Sequence, residues 1–341
     1  MKDHSSTATA ALPDPVGAPV GHAAQVVAPG QVEMVELPLP RPGAGQILVR
    51  IEGCGVCASN LEPWSGPDWQ DFPMEPGVMG HEAWGVIEAL GEGVSGLHVG
   101  QRIAWLGNHG YASHELIAAE TALSLPAALD GQPVPAEPLG CAMNIFHRAQ
   151  ISAGQTVAII GIGFIGAALT ALAAQAGARV IAISRRQESL DLARRMGAAD
   201  TIPMEDHWEI MRELGRLTED RLADVVIEAV GLQWPLDLAG ELVREGGRLV
   251  IAGYHQNGPR QVNMQMWNWK GIDIASAHER DPDVQRRGME EGIAAAAEGR
   301  LDLGALITHR YPLSRLGDAL DATRDKPQGF VKSWVSPEDA K

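Results

Sequence analysis

The sequence predicts a two-domain α/β chain in which a β-rich region leads into a doubly wound parallel sheet and then receives the chain back. Its 341 residues exceed the roughly 100–200 that one domain usually holds. Up to residue 140 glycines and prolines recur every few positions between short strand-like runs; from Thr156 strand and helix patterns alternate. With 45% hydrophobic and 21% charged residues, the chain can bury a substantial core. Its 27 Lys and Arg against 43 Asp and Glu leave a net charge of −16. That excludes general nucleic-acid binding, which needs a basic surface. Three cysteines, an odd number, make no disulfide framework and fit a reducing, cytoplasmic location.

Residues 1–22 read as a disordered lead, because they lack an apolar stretch flanked by positive charge. Gln46–Ile51 alternates as a half-buried strand and Gly85–Leu90 is apolar. Val157–Ala174 mimics a membrane span, with Thr170 its single polar side chain over eighteen residues. Gly161, Gly163 and Gly166 interrupt it, which favours a buried strand, a turn and a buried helix, with no membrane partner. Strands are expected at Thr156–Ile160, Val180–Ile183, Asp224–Ile227, Arg248–Ile251 and Ile272–Ala275. Helices are expected at Phe164–Ala176, Gln187–Met196, Pro235–Val243 and Asp283–Glu298. Arg310-Tyr311-Pro312 and Phe330–Val335 are strand-like. The β-rich domain is therefore expected over 23–139 and 278–341, around a parallel-sheet domain over 140–277.

Gly161-Ile162-Gly163-Phe164-Ile165-Gly166 follows a strand and opens a helix, the context that makes a G-x-G-x-x-G run a dinucleotide fingerprint. The first glycine turns the chain, the second admits a pyrophosphate and the third packs helix on sheet. At the end of the next strand, where a carboxylate would hold the ribose hydroxyls of NAD, stand Ser184, Arg185 and Arg186. A hydroxyl and two guanidiniums suit a 2′-phosphate, so NADP(H) is expected over NAD(H).

Cys54-Gly55-Val56-Cys57-Ala58-Ser59-Asn60, Gly80-His81-Glu82 and Glu137-Pro138-Leu139-Gly140-Cys141 offer thiolate, imidazole and carboxylate groups suited to zinc. Together with the glycine fingerprint, Glu228-Ala229-Val230-Gly231 and Gly246-Gly247-Arg248-Leu249-Val250, they make the chain resemble the medium-chain, zinc-dependent alcohol dehydrogenase family from about Ala23 to Val335. Glu-Pro-Leu is most similar to its polyol dehydrogenase branch.

The resemblance implies a GroES-like catalytic domain, a Rossmann dinucleotide-binding domain, and hydride transfer between NADP(H) and a small alcohol or polyol and its carbonyl form. It places one catalytic zinc on Cys57, His81 and Glu137, with Glu82 or Cys141 as rivals for the third place, and leaves Cys54 structural. It gives Ser59 the role of accepting the alcohol proton, and carries Phe164, Ile165, Val230 and Gly253 to the cofactor. It implies a homodimer or homotetramer. A zinc-free quinone or enoyl reductase of the same superfamily and a non-catalytic cofactor-binding protein are the alternatives. Two departures stand out. Asn60 occupies the place of an aspartate that bonds the ligand histidine, and three cysteines cannot build the family's structural zinc lobe. His109, His114 and His278 are possible far ends of a proton relay. Trp64, Trp69, Trp84 and Trp105 could wall a pocket, and Trp267 and Trp269 could face another subunit.

Overall fold

The computed structural model describes residues 20–256 and 258–337. The expected lead lies outside the described residues through position 19, and its last three residues already belong to a strand. That strand, β1 (Val20–Ala28), forms an antiparallel hairpin with β2 (Gln31–Pro38). β3 (Gln46–Gly55) follows, a long strand whose apolar positions are buried. Next come the short helix α1 (Leu61–Ser65), β4 (Ala83–Leu90), β5 (Arg102–Ala104), β6 (His114–Ala118) and β7 (Leu123–Ser124). α2 (Ala136–Ala149) then carries the chain across.

The alternating half runs β8 (Thr156–Ile160), α3 (Phe164–Gln175), β9 (Arg179–Ser184), α4 (Gln187–Arg195), β10 (Asp200–Pro203) and α5 (His207–Thr218). It continues through β11 (Ala223–Glu228), α6 (Gln233–Leu242), β12 (Val243–Ile251), α7 (Met264–Lys270) and β13 (Asp273–Ser276). These strands form a parallel sheet in the order β10-β9-β8-β11-β12-β13. The apparent membrane span resolves into β8 and α3. β8 is central and covered on both faces, so it needs no alternation. No helix among the described residues is long and apolar enough to cross a membrane.

The chain returns through α8 (Pro282–Ala297), α9 (Leu303–Leu306), β14 (His309–Pro312), α10 (Leu316–Asp325) and β15 (Ser333–Ser336). The β-rich sheet is ordered β14-β15-β3-β4-β5-β7, with β6 also on β3. β3 thus shares one edge between β6, opposite Gln46–Arg50, and β15, opposite Cys54 and Gly55. The last strand of the chain is thereby hydrogen-bonded to the strand that leads into Cys57.

Candidate active site

Strand register brings the first group of side chains together. β3 and β4 pair Cys54 with Ala83, and Gly55 N–H donates to the Glu82 carbonyl at 3.1 Å, continuing the ladder by one residue. Beyond that point both strands end, and Cys57 on one side meets His81 and Glu82 on the other. One ligand atom from each of these three lies within 4.8 Å of the others. The Val56 N–H donates to the Ser333 carbonyl at 2.9 Å, so the returning strand pins the turn that carries Cys57.

Glu137 enters from the first turn of α2 and lies outside that trio, yet its charge acts on His81. Cys141, one helical turn on, donates from Sγ to Glu137 Oε1 at 3.1 Å. Burial and the adjacent carboxylate push this thiol well up, which keeps it a donor behind Glu137.

His81 Nδ1 lies 3.0 Å from the Met79 carbonyl. A carbonyl only accepts, so Nδ1 carries the proton and Nε2 faces the cluster. Asn60 stands where the resemblance implies an aspartate bonded to this imidazole. It acts instead on the same carbonyl, donating from Nδ2 to Met79 O at 2.9 Å and to the Tyr111 hydroxyl at 2.8 Å. Met79 has φ 75°, a left-handed conformation costly for a residue with a β-carbon, and its carbonyl serves both donors.

Lys332, invisible as a site residue in the sequence, is buried at the cluster. Its Nζ donates to Glu82 Oε1 at 2.8 Å and to the Val56 carbonyl at 3.3 Å. It also lies 2.7 Å from Glu82 Oε2, at an angle that leaves this oxygen buried without a hydrogen bond of its own. Burial pulls Lys332 down, but Glu82 and Cys57 outweigh it and hold the ammonium above the usual lysine range. Burial likewise opposes charge on His81, yet Cys57, Glu82 and Glu137 push it up to about 10. Glu137 is raised by burial and by Glu82, with His81, Cys141 and Lys332 pulling the other way. The acidic groups around them thus draw both His81 and Lys332 toward their positive forms. With sulfur, nitrogen and oxygen donors and a buried carboxylate oxygen that receives no hydrogen bond, these residues fit a zinc ion.

The second group is the glycine turn. Gly161 takes φ 93°, and a β-carbon there would meet Val230 Cγ2 at 2.4 Å. At Gly166 it would meet the Gly161 carbonyl at 2.0 Å, so this glycine lets α3 pack on the strand exit. Gly163 faces open space and caps α3 without a side-chain hydrogen bond, leaving the helix N-terminus free to receive an anion. Phe164 and Ile165 open that helix, and Lys332 Nζ lies 5.3 Å from the Phe164 ring centroid. Ser184 ends β9. Arg185 is exposed, while Arg186 donates from Nη2 to the Phe330 carbonyl at 2.9 Å and keeps a buried, unbonded Nη1. Burial lowers Arg186 below its usual value and Arg185 adds to the effect. Desolvation and the charges of Arg186 and Arg185 also lower Lys326 at the end of α10, so three cations share this corner.

Residues 43–132 match the model of the alcohol dehydrogenase GroES-like domain, and residues 165–293 match that of the zinc-binding dehydrogenases. The chain belongs to the zinc-dependent medium-chain alcohol dehydrogenases. An alcohol dehydrogenase of Cupriavidus necator is 28% identical, the match covering 92% of this chain and 98% of that one. A sorbitol dehydrogenase of Halalkalibacterium halodurans is 26% identical, covering 91% and 97%. A zinc-binding dehydrogenase of Sinorhizobium meliloti 1021, solved bound to NADP, has 26% identity and a TM-score of 0.81, covering 94% of this chain and 100% of its own.

Within this alcohol dehydrogenase fold, several expected site residues sit elsewhere. Trp84 and Trp105 are core residues; Trp84 packs on Trp334 at 5.3 Å between ring centroids, and Trp105 bonds Glu115. Trp64 is buried and bonds Asp321, and Trp69 is 61% exposed. Trp267 points inward against Gly240, whereas Trp269 is 86% exposed. His109 pairs with Glu75 and His114 with Glu88, so neither is joined to Ser59. His278 stacks near Tyr254 at 5.8 Å. Ser59 Oγ bonds Asn60 Oδ1 at 3.3 Å, and Cys54 is buried with its thiol on the Gly55 carbonyl.

Proposed function

We propose that this chain is a zinc-dependent dehydrogenase that moves hydride between NADP(H) and a small alcohol or polyol and its aldehyde or ketone. The observation that carries the reading is Lys332: one ammonium touches Glu82 in the Cys57–His81 cluster and sits over Phe164, the first residue of the fingerprint helix. The metal-binding side chains and the dinucleotide turn therefore adjoin.

Cys57, His81 and Glu137 hold the metal. Glu82 is the alternative third ligand, clamped by Lys332, and Cys141 supports Glu137 through its thiol. Zinc, when bound, supplies Lewis acidity toward the substrate oxygen. Ser59, half-buried, accepts the hydroxyl proton and passes its own on to solvent. Gly163 gives the pyrophosphate room at the start of α3, and the third-glycine packing at Gly166 keeps that helix in place. Ser184, Arg185 and Arg186 receive the 2′-phosphate, the buried free Nη1 of Arg186 being a donor in want of an acceptor. The outer edge of β13, which no strand among the described residues pairs, with Ile274 and Trp269 exposed nearby, supports pairing of two copies as a homodimer or homotetramer. Three free cysteines support a reducing, cytoplasmic location.

The decisive test is binding of NADPH and NADH, followed by nicotinamide fluorescence, beside a dehydrogenase screen of polyols and of aliphatic and aromatic alcohols. NADPH is expected to bind at least about tenfold more tightly, and Arg185→Ala with Arg186→Ala to remove that margin. A preference for NADH would overturn the coenzyme assignment.

A further inference from the structure

Glu228 ends β11 fully buried, and none of the chemistry above uses it. Its Oε1 accepts from the backbone N–H of Val230 at 2.7 Å and of Gly231 at 2.8 Å. Its Oε2 lies 2.9 Å from His255 Nε2. Because this oxygen accepts, Nε2 carries the proton, and Nδ1 is left to accept from Arg260 Nε at 3.1 Å. Arg260 closes the ring by donating from Nη2 to the Gly231 carbonyl at 3.2 Å.

The ring ties together the loops that leave β11 and β12. Their backbones are already in contact: Gly253 N–H donates to the Glu228 carbonyl at 2.7 Å. A β-carbon at Gly253 would come within 2.2 Å of Gly231 N. A buried carboxylate with a full set of donors is stiff, since losing one donor leaves charge unsolvated.

The position of this ring in the sheet gives it a role. Strand order reverses between β8 and β11, and a dinucleotide lies across such a reversal, beyond the carboxyl ends of the strands. The fingerprint turn follows β8, and the 2′-phosphate residues follow β9, so the nicotinamide half falls over β11 and β12. Val230 leans on Gly161 from that side. On the opposite side, Gln256 Nε2 donates to the Ala58 carbonyl at 3.3 Å, between Cys57 and Ser59. The loops fixed by Glu228 thus touch both the fingerprint and the metal-binding turn.

We propose that Glu228 and His255 are positioning residues that fix the nicotinamide wall of the cleft and hold it in register with the Cys57–Asn60 turn. The coenzyme half of this inference rests on the function proposed above; the mechanical coupling does not. Hydride transfer tolerates little misplacement of its partners, so a rigid bridge between the two walls serves the reaction without touching the reacting atoms.

Amide hydrogen exchange on the coenzyme-free chain, comparing His255→Leu with His255→Gln, tests the coupling. In His255→Leu the amides of 229–231 and 57–60 are expected to lose protection about tenfold, while those of 164–175 stay unchanged. His255→Gln keeps a donor to Glu228 and is expected to restore most of the loss. Binding gives the second reading: His255→Leu weakens NADPH about tenfold and leaves 2′,5′-ADP, which lacks the nicotinamide half, within about twofold. Loss of protection confined to 252–256, or equal weakening of both ligands, would overturn the proposal. Exchange is read without coenzyme, so the coupling stands or falls on it even if the unvaried chain binds no nicotinamide nucleotide, a result that would sink the coenzyme reading alone.

Discussion

Lys332 and Asn60 back the Cys57–His81–Glu82 cluster through Glu82 and the Met79 carbonyl, and each makes a measurable prediction. Lys332 and Glu82 are both buried, so removing one partner leaves the other charge without solvation. Lys332→Met is expected to cost about 3–5 kcal/mol in the metal-free chain, read by urea unfolding. Zinc would take over the neutralisation of Glu82 and recover part of that loss; an equal loss with and without zinc would contradict a shared site. Asn60→Ala removes the donor that steadies the Met79 carbonyl behind His81. Zinc affinity, measured by competition with a chelator, is expected to fall roughly 10–100-fold. Unchanged affinity would mean that the carbonyl needs no help. Cys57 and His81 were legible because a cysteine and a Gly-His-Glu run stand out as residue types, whereas Glu82, read only as an alternative to Glu137, is the carboxylate that stands with them in the trio. Lys332 and the carbonyl of Met79 were not legible, because a lysine near a chain end reads as surface and a carbonyl has no sequence signature. Asn60 stood out in the sequence as a departure, but only the fold reveals that the Met79 carbonyl lies between its amide and the imidazole.

The glycine turn separates folding from binding at the level of one element. Gly166 has no room for a β-carbon, whereas Gly163 faces open space with ordinary backbone angles. Gly166→Ala is therefore expected to lower the melting temperature and coenzyme binding together. Gly163→Ala should fold with an unchanged melting temperature and lose more than about tenfold in coenzyme affinity, because its methyl group occupies the approach of the pyrophosphate. Full binding by folded Gly163→Ala would mean that the phosphates lie elsewhere. Elements with strong periodicity or flanking glycines, such as β8 with α3 and β9 with α4, lay within a residue or so of their expected bounds. β10 and α5 escaped notice because Asp200–Pro203 is too short and too polar to read as a strand. The apolar stripe of α5, whose buried residues are Ile210, Leu214, Gly215 and Thr218, was not weighed against its charged face. The cation Lys326 lies far from Arg185 and Arg186 in sequence and meets them only because α10 ends beside β9.

At the scale of the molecule, the β-rich domain is divided by the parallel-sheet domain and closed by β15 on β3. That closure brings Lys332 to Glu82, so the metal cluster depends on the last strand of the fold as well as on its third. The charge of −16 coexists with a local group of three cations, Arg185, Arg186 and Lys326, beside the end of β9; under the proposed function that corner receives one phosphate. The zinc content of the purified chain, set beside that of Cys57→Ser and His81→Ala, tests the central claim most directly. One zinc per chain is predicted for the unvaried protein, since only one cluster of metal-ligating type is present among the described residues, and less than about a tenth of that in either variant if affinity drops by the tenfold or more that losing a ligand implies. Zinc retained in full by both variants, or dehydrogenase turnover by a chain free of zinc, would contradict it.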